Sequence, residues 1–372
     1  MQNYDYDFIF AYQESLNCKL ITSKHRIVNY FLNKKYNVLY IELPLFLPNW
    51  ILKKIFSLFE NNYNSRYKNI KVIRPFTVFP TKLIFDNKFF SRLESFIVSI
   101  YIQMVLGKRS ISCRYFQIYI PKAIELFTRK YIYTKNIYYH LIDDFRFLKR
   151  APKVLDYYHK LSLTISTKIF TPSKSVLRKI NSEKVYFLPH GYISYNFKEN
   201  KLNTKNIISE RYVNIIYYGQ LNKLNYELIN EVILNSEQAN FLFVGNIGQS
   251  NIISRENVKK IYFLNHKDLM FILKSCQLLW CPFEQNKLNF SMTPIKFTEA
   301  LSFGIPVLST NINFEDPLIK DLIDFRDKAI EHIEYIQNIK YRENSLNLTN
   351  KIKERSWDSI LDKFNETIIV DT

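Results

Sequence analysis

Lys296 and Glu299 stand three residues apart in the run Phe290–Thr310, FSMTPIKFTEALSFGIPVLST. On a helix that spacing sets an amine and a carboxylate on one side, a turn apart. Thr293 suits an N-cap, and Pro294 suits the first helical position, where a missing N–H costs nothing. Ile295, Thr298, Ala300 and Leu301 continue a helix of about three turns. Gly304 supplies a left-handed end, Pro306 forbids continuation, and Val307, Leu308 and Ser309 read as a buried strand. The unpaired N–H groups of such a helix start, with Lys296 beside them, suit a phosphate. Glu299, a turn deeper, suits a pair of sugar hydroxyls. Ser291, Met292 and Thr293 lead into the helix and line the same expected pocket. The plainer reading of this stretch is an amphipathic surface helix with a Lys/Glu pair.

Further chemistry lies at the ends of expected strands. Val213–Tyr218 reads as a strand ending in Gly219, before a helix of about residues 226–235, so backbone N–H groups there can approach a phosphate. The run YYHLIDDFRF brings Asp143 and Asp144 after the strand 137–141, where open α/β sheets place ligands. One of these acids could orient or deprotonate an acceptor hydroxyl; equally, Asp144 could simply cap the next helix. His140, a lone histidine beside apolar residues, reads as structural.

The elements that must hold these groups alternate. Strands are expected at 8–11, 38–41, 70–73, 115–120, 137–141, 169–171 and 185–188, with helices at 24–32, 153–167 and 172–180 between some of them. A polar, Asn- and Lys-rich stretch at 198–210 reads as a linker. Beyond it, strands at 213–218, 241–244, 261–264 and 278–281 alternate with helices at 226–235 and 269–276. Strand–helix units in series argue a parallel, doubly wound sheet in each half. The last stretch, 355–369, carries Trp357, Ile360, Leu361 and Phe364 as one apolar stripe behind a Ser356 cap.

Composition narrows the partners. The chain has 372 residues, enough for two domains with sizeable cores. A net charge of +18 favours anionic partners such as nucleotide phosphates or acidic lipid. No zinc-finger spacing, basic heptad helix or RNA-binding signature appears, so specific nucleic-acid recognition is not expected. The four cysteines, Cys18, Cys113, Cys276 and Cys281, form no C-x-x-C pair or metal-ligand spacing, as suits buried thiols in a reducing compartment. The N-terminus lacks the pattern of a signal peptide, so a cytoplasmic protein is expected, at most peripheral to the inner face of the plasma membrane. Residues 44–60, PLFLPNWILKKIFSLFE, surround Lys53 and Lys54 with aromatic and aliphatic bulk. They fit either a helix in a lipid interface or, more commonly, a core-packed helix. Residues 89–108 pose the same choice.

Pro294, Lys296, Glu299, Ala300, Gly304, Pro306 and Val307 resemble the P-x-K-x-x-E-[AY]-L-[AS]-x-G-x-P-V signature of GT-B glycosyltransferases. The branch most similar contains GT4-like enzymes of bacterial cell-surface polysaccharide synthesis, such as teichuronic acid transferases. Three other passages resemble the same family: KHRIVNYFLNKKYNVLYIELP near the start, TPSKSVL…VYFLPHGYISYNF in the middle, and the final Ser-Trp-Asp helix. The YYHLIDDFRF run resembles the family's Y-x-x-x-D-D-[FW] segment.

That resemblance implies two Rossmann-like domains with a cleft between them: residues 1–197 on the acceptor side, a linker at 198–210, and 211–354 for the nucleotide sugar. The helix at 355–372 is then expected to cross back to the N-terminal domain. It implies transfer of a sugar from a UDP- or GDP-linked donor to a glycan or lipid-linked acceptor, retaining and metal-independent, with no separate cofactor. Asp143, Asp144 and Lys296 become the catalytic candidates, and Gly219, Lys223, Glu284, Ser291, Met292, Thr293, Lys296 and Glu299 the donor-binding ones. The sequence departs from the family in three places. The Gly-rich first loop that many GT-B enzymes carry is missing. Gln220 stands where an Arg is usual, with Lys223 nearer than the usual Lys. Ser291 stands eight residues before Glu299, where a first Glu would touch the sugar, leaving Ser291, Thr293 or Glu284 for that contact. The other reading left open is a non-catalytic GT-B relative that binds a nucleotide or a partner in a membrane assembly.

Overall fold

The computed structural model describes residues 4–16, 22–49, 67–142, 153–180, 182–195, 197, 202–262, 264–287, 289–339 and 346–369. Asp143, Asp144 and most of residues 44–60 therefore lie outside the described residues. The chain divides into two compact units, one of residues 1–172 and 176–187 and the other of 173–175 and 188–372.

The first unit is built on parallel pairing. Its strands are β1 (Tyr6–Gln13), β2 (Val38–Glu42), β3 (Leu45–Phe46), β4 (Ile70–Ile73), β5 (Phe76–Thr77), β6 (Ile111–Ile118), β7 (Ile132–Tyr133), β8 (Asn136–His140), β9 (Lys168–Thr171) and β10 (Val185–Phe187). The main sheet runs β10-β9-β8-β6-β1-β2-β4, with β7 beside β6; β3 and β5 form a separate pair. Burial on both faces explains why the central strands read as continuous apolar runs rather than alternating ones. The helices are α1 (Ser23–Asn33), α2 (Thr81–Asp86), α3 (Lys88–Leu106), α4 (Ile124–Thr128), α5 (Lys153–Ile165) and α6 (Lys174–Ile180). Phe8 is the hub of an aromatic cluster, its ring 4.0 Å from Phe31 and 4.9 Å from Tyr115.

In the second unit the strands are β11 (Val213–Gly219), β12 (Ala239–Gly245), β13 (Val258–Ile261), β14 (Leu278–Cys281), β15 (Val307–Ser309) and β16 (Ile323–Phe325). They run in the order β13-β12-β11-β14-β15-β16, all parallel. The order reverses between β11 and β14, and the carboxyl ends of such a pair are where open α/β sheets take ligands. Helices α7 (Tyr226–Leu234), α8 (His266–Lys274), α9 (Ile295–Ser302), α10 (Ala329–Asn338), α11 (Leu346–Lys351) and α12 (Trp357–Ile369) complete it.

Several expectations shift. The strand expected at 261–264 lies earlier, at Val258–Ile261, where Lys259 and Lys260 hide it from an apolar-run search; it is an edge strand with one neighbour. Helix α9 is a turn shorter than expected and takes Pro294, not Thr293, as its N-cap, with no side-chain cap bond. Pro294 sits at φ −67° and ψ 115°, extended enough to stand outside the helix. Gly304 takes the expected left-handed conformation at φ 72°. Ile207 and Ile208, inside the stretch read as linker, pack against the second unit's core.

Candidate functional site

The carboxyl ends of β11 and β14 gather the second unit's chemistry. β11 ends in Gly219 at φ 120°, a conformation side chains rarely adopt. A Cβ there would lie 3.1 Å from the Lys296 Nζ, so the glycine leaves the amine room against the backbone. Gly219 pairs in register with Gly245, where a Cβ would come within 2.2 Å of the Gly219 carbonyl oxygen. The close approach of the two strand ends thus needs Gly245, while Gly219 keeps room for the lysine.

Lys296 reaches this point from the first turn of α9. Its ammonium lies over the Tyr217 ring, 4.0 Å from the centroid, with the Phe283 and Tyr218 rings at 5.4 and 5.5 Å. Cation–π attraction compensates part of the lost hydration. Burial still pushes its pKa down to about 8; Cys281 and Glu299 oppose the shift, while the charge of Lys223 adds to it. Lys223, doubtful from its spacing, is therefore close enough to Lys296 to repel it. Its Nζ lies 2.8 Å from the Met292 Sδ. A pair of cations beside glycine-terminated strands has the chemistry to hold a dianion.

Glu299, 4 % exposed, sits one turn further in. Tyr218 donates its hydroxyl to Oε2 at 2.6 Å, and His266 Nε2 lies 2.8 Å from Oε1. The other His266 nitrogen, Nδ1, is 2.8 Å from the Tyr195 hydroxyl. Since a carboxylate only accepts, the Nε2–H is the donor to Glu299. Tyr195, His266, Glu299 and Tyr218 thus form a chain of hydrogen bonds that fixes the carboxylate.

The loop before α9 is held by a residue that no motif or spacing singles out. Asn289, fully buried, donates through Nδ2 to the Lys223 carbonyl at 3.0 Å and the Glu284 carbonyl at 2.6 Å. Glu284 N–H bonds the Lys223 carbonyl at 2.9 Å, so the Lys223 and Glu284 loops are one assembly. The Glu284 carboxylate itself is exposed and accepts from Asn286 at 3.1 Å. Met292 is buried and Thr293 partly buried; the Ser291 side chain lies outside the described residues.

His190 belongs to the same neighbourhood. Burial pushes its pKa down to about 4, with Glu299 opposing and Arg355 reinforcing the shift. The two family-like passages around it are joined: Tyr192 bridges Ser356, with Tyr192 N–H to the Arg355 carbonyl at 2.9 Å and Trp357 N–H to the Tyr192 carbonyl at 3.0 Å. Arg355 is held by Asp316 at 2.5 Å. The sequence signal for this contact existed in both passages, but not the contact itself.

In the first unit, His140 ends β8 buried, its ring 4.9 Å from Tyr119. Asp143 and Asp144 lie outside the described residues. Among the described residues no group of three His, Cys, Asp or Glu side chains is placed to hold a metal ion.

Comparison with known proteins places the fold. No protein-family model matches the chain, and no curated protein does either. Solved structures do. The chain is similar to sucrose-phosphate synthase from Thermosynechococcus elongatus at a TM-score of 0.67 and 11% identity, over 97% of this chain and 98% of that one. It is similar to HepE from Anabaena in complex with UDP-glucose at 0.62 and 12%, over 98% and 99%. A third likeness, at 0.57 and 10% over 98% and 95%, is to a structure described as a UDP-N-acetylglucosamine 2-epimerase from Listeria monocytogenes. The fold of this chain is the GT-B fold, two Rossmann-like parallel-sheet units, as the first two of these proteins have it.

Proposed function

We propose that this protein is a glycosyltransferase that moves a sugar from a nucleotide diphosphate to a glycan or lipid-linked acceptor. The observation that carries it is the Lys296 ammonium, held on three aromatic rings beside Gly219 at the strand-order reversal. Lys296 and Lys223 bind the diphosphate. As the bond from the anomeric carbon to the diphosphate oxygen breaks, Lys296 meets the charge growing on that oxygen. The acceptor hydroxyl forms the new glycosidic bond and gives up its proton; Asp143 and Asp144 are the bases the resemblance offers. Glu299, oriented by Tyr218 and His266, takes the ribose hydroxyls.

HepE, whose structure holds UDP-glucose, shares this fold, which supports a UDP-linked donor over other nucleotides. By the resemblance, the reaction retains anomeric configuration, works without a metal, and serves cell-surface polysaccharide synthesis. A structure of the same fold is described as that of an epimerase, so the reaction has to be tested directly.

The test is nucleotide release from a panel of UDP- and GDP-sugars, preceded by a thermal-shift screen for the donor that raises the melting temperature. Turnover abolished by Lys296→Ala and by Glu299→Ala, unaffected by a chelator, and yielding one anomer by NMR is the expected result. Donor binding without turnover against any acceptor would move the assignment to the non-catalytic, nucleotide-binding relative.

A further inference from the structure

Helix α3 is built inside out. Its buried face carries Ser91, Glu94, Ser95 and Ser99, with Val98 and Ile102. Its exposed face carries Phe89, Phe96, Ile100 and Met104, with Phe89 67% and Met104 76% exposed. The exposed positions repeat every three to four residues or a multiple of that, so they form one continuous apolar stripe. Surface helices of water-facing proteins place these residue classes the other way round.

The inner polarity has its own partner. Lys122, 2% exposed, bonds the Glu94 carboxylate and donates to the Ser95 hydroxyl at 2.6 Å. Ser99 donates to the Ser95 carbonyl at 2.7 Å. This buried ion pair ties α3 to the segment before α4 and fixes which face points out. The apolar stripe is therefore held outward and cannot roll inward without exposing a charged pair.

Cations rim the stripe. Arg92, half exposed on the helix, pairs with Glu125 at 3.8 Å, and beyond the helix C-terminus come Lys108, paired with Asp5, and the exposed Arg109. Arg129 donates to the Arg92 carbonyl at 2.6 Å and lies 5.9 Å from the Phe96 ring centroid. Among the described residues α3 is the one helix long and apolar enough to cross a bilayer by length and composition. Crossing would pull Glu94 away from Lys122, so a helix lying in the interface plane is the arrangement that keeps the pair. A second copy docking through the same face would bring two cationic rims together, which opposes self-association.

We infer that the outer face of α3 docks on an anionic lipid surface, with Phe89, Phe96, Ile100 and Met104 entering the interface and the basic rim meeting lipid phosphates. The inference is independent of the donor site in the second unit.

The experiment is co-sedimentation of the full chain with vesicles of phosphatidylcholine alone and of phosphatidylcholine with about a third phosphatidylglycerol, at fixed salt. The variants are Phe96→Glu with Met104→Glu, and Arg109→Glu. Binding to the anionic vesicles is expected, at least tenfold weaker for the apolar-face double variant and about fivefold weaker for Arg109→Glu. The melting temperature without ligand should be unchanged in both, which shows that they fold. No sedimentation with anionic vesicles overturns the inference. So does equal binding by the double variant, since bulk charge then suffices. A dimer dissociated by Phe96→Glu with Met104→Glu, without vesicle binding, overturns it in favour of a second copy.

Discussion

A lysine whose pKa lies near 8 is charged at neutral pH but loses its proton within a unit or so above it. If Lys296 grips a diphosphate, nucleotide affinity should hold to about pH 8 and then fall, approaching tenfold per pH unit, as the free enzyme sheds the proton the complex retains. Titration calorimetry with UDP across pH 7–10 measures this, and Lys296→Met should flatten the curve. Lys296→Ala should cost about 2–3 kcal/mol of nucleotide affinity, roughly 30- to 150-fold, the worth of hydrogen bonds to charged groups. His190 acts on stability instead. Its folded pKa, about 4, lies below the unfolded value near 6.5, so the unfolded chain binds more protons in between. Stability is full above about pH 6.5 and falls as pH drops toward 4, by about 3 kcal/mol in all. His190→Gln should remove most of that slope in urea melts taken from pH 7 to pH 4.

At the scale of elements, the site depends on how closely two strand ends approach. Gly219→Ala forces a side chain into a left-handed backbone position and toward the Lys296 ammonium 3.1 Å away. About 1–3 kcal/mol of strain is expected, together with loss of nucleotide binding beyond what the melting temperature explains; thermal shift with and without UDP separates the two. Such positions divide what sequence can and cannot tell. Strands β2, β11, β14 and β15 were legible because apolar runs bounded by Gly, Pro or polar residues leave little choice. Strand β13 was not, since Lys259 and Lys260 suit an edge but break the run. Lys296 and Glu299 were legible from spacing along one helix. Their partners were not: Tyr195, His266 and Tyr218 come from separate elements, and only the sheet order brings them to Glu299. Asn289 stayed hidden for the same reason, its amide bonding carbonyls on two loops.

Across the whole molecule, the net charge of +18 favours the approach of the anionic donor proposed for this site. Association of a nucleotide sugar should therefore be steered, its on-rate falling severalfold between low and physiological salt while the dissociation rate changes little; stopped-flow fluorescence resolves the two. The bridge from Tyr192 to Ser356 bears on how the molecule is made. The second unit begins near residue 188, yet the backbone that secures its opening segment, around Ser356, is synthesised far later than that segment. The first unit can mature while translation continues, whereas the second has to wait with its apolar strands already made. A nascent chain stalled before Ser356 should accordingly present a protease-resistant first half and a cleavable second half, and gain resistance throughout only once translation has passed that point.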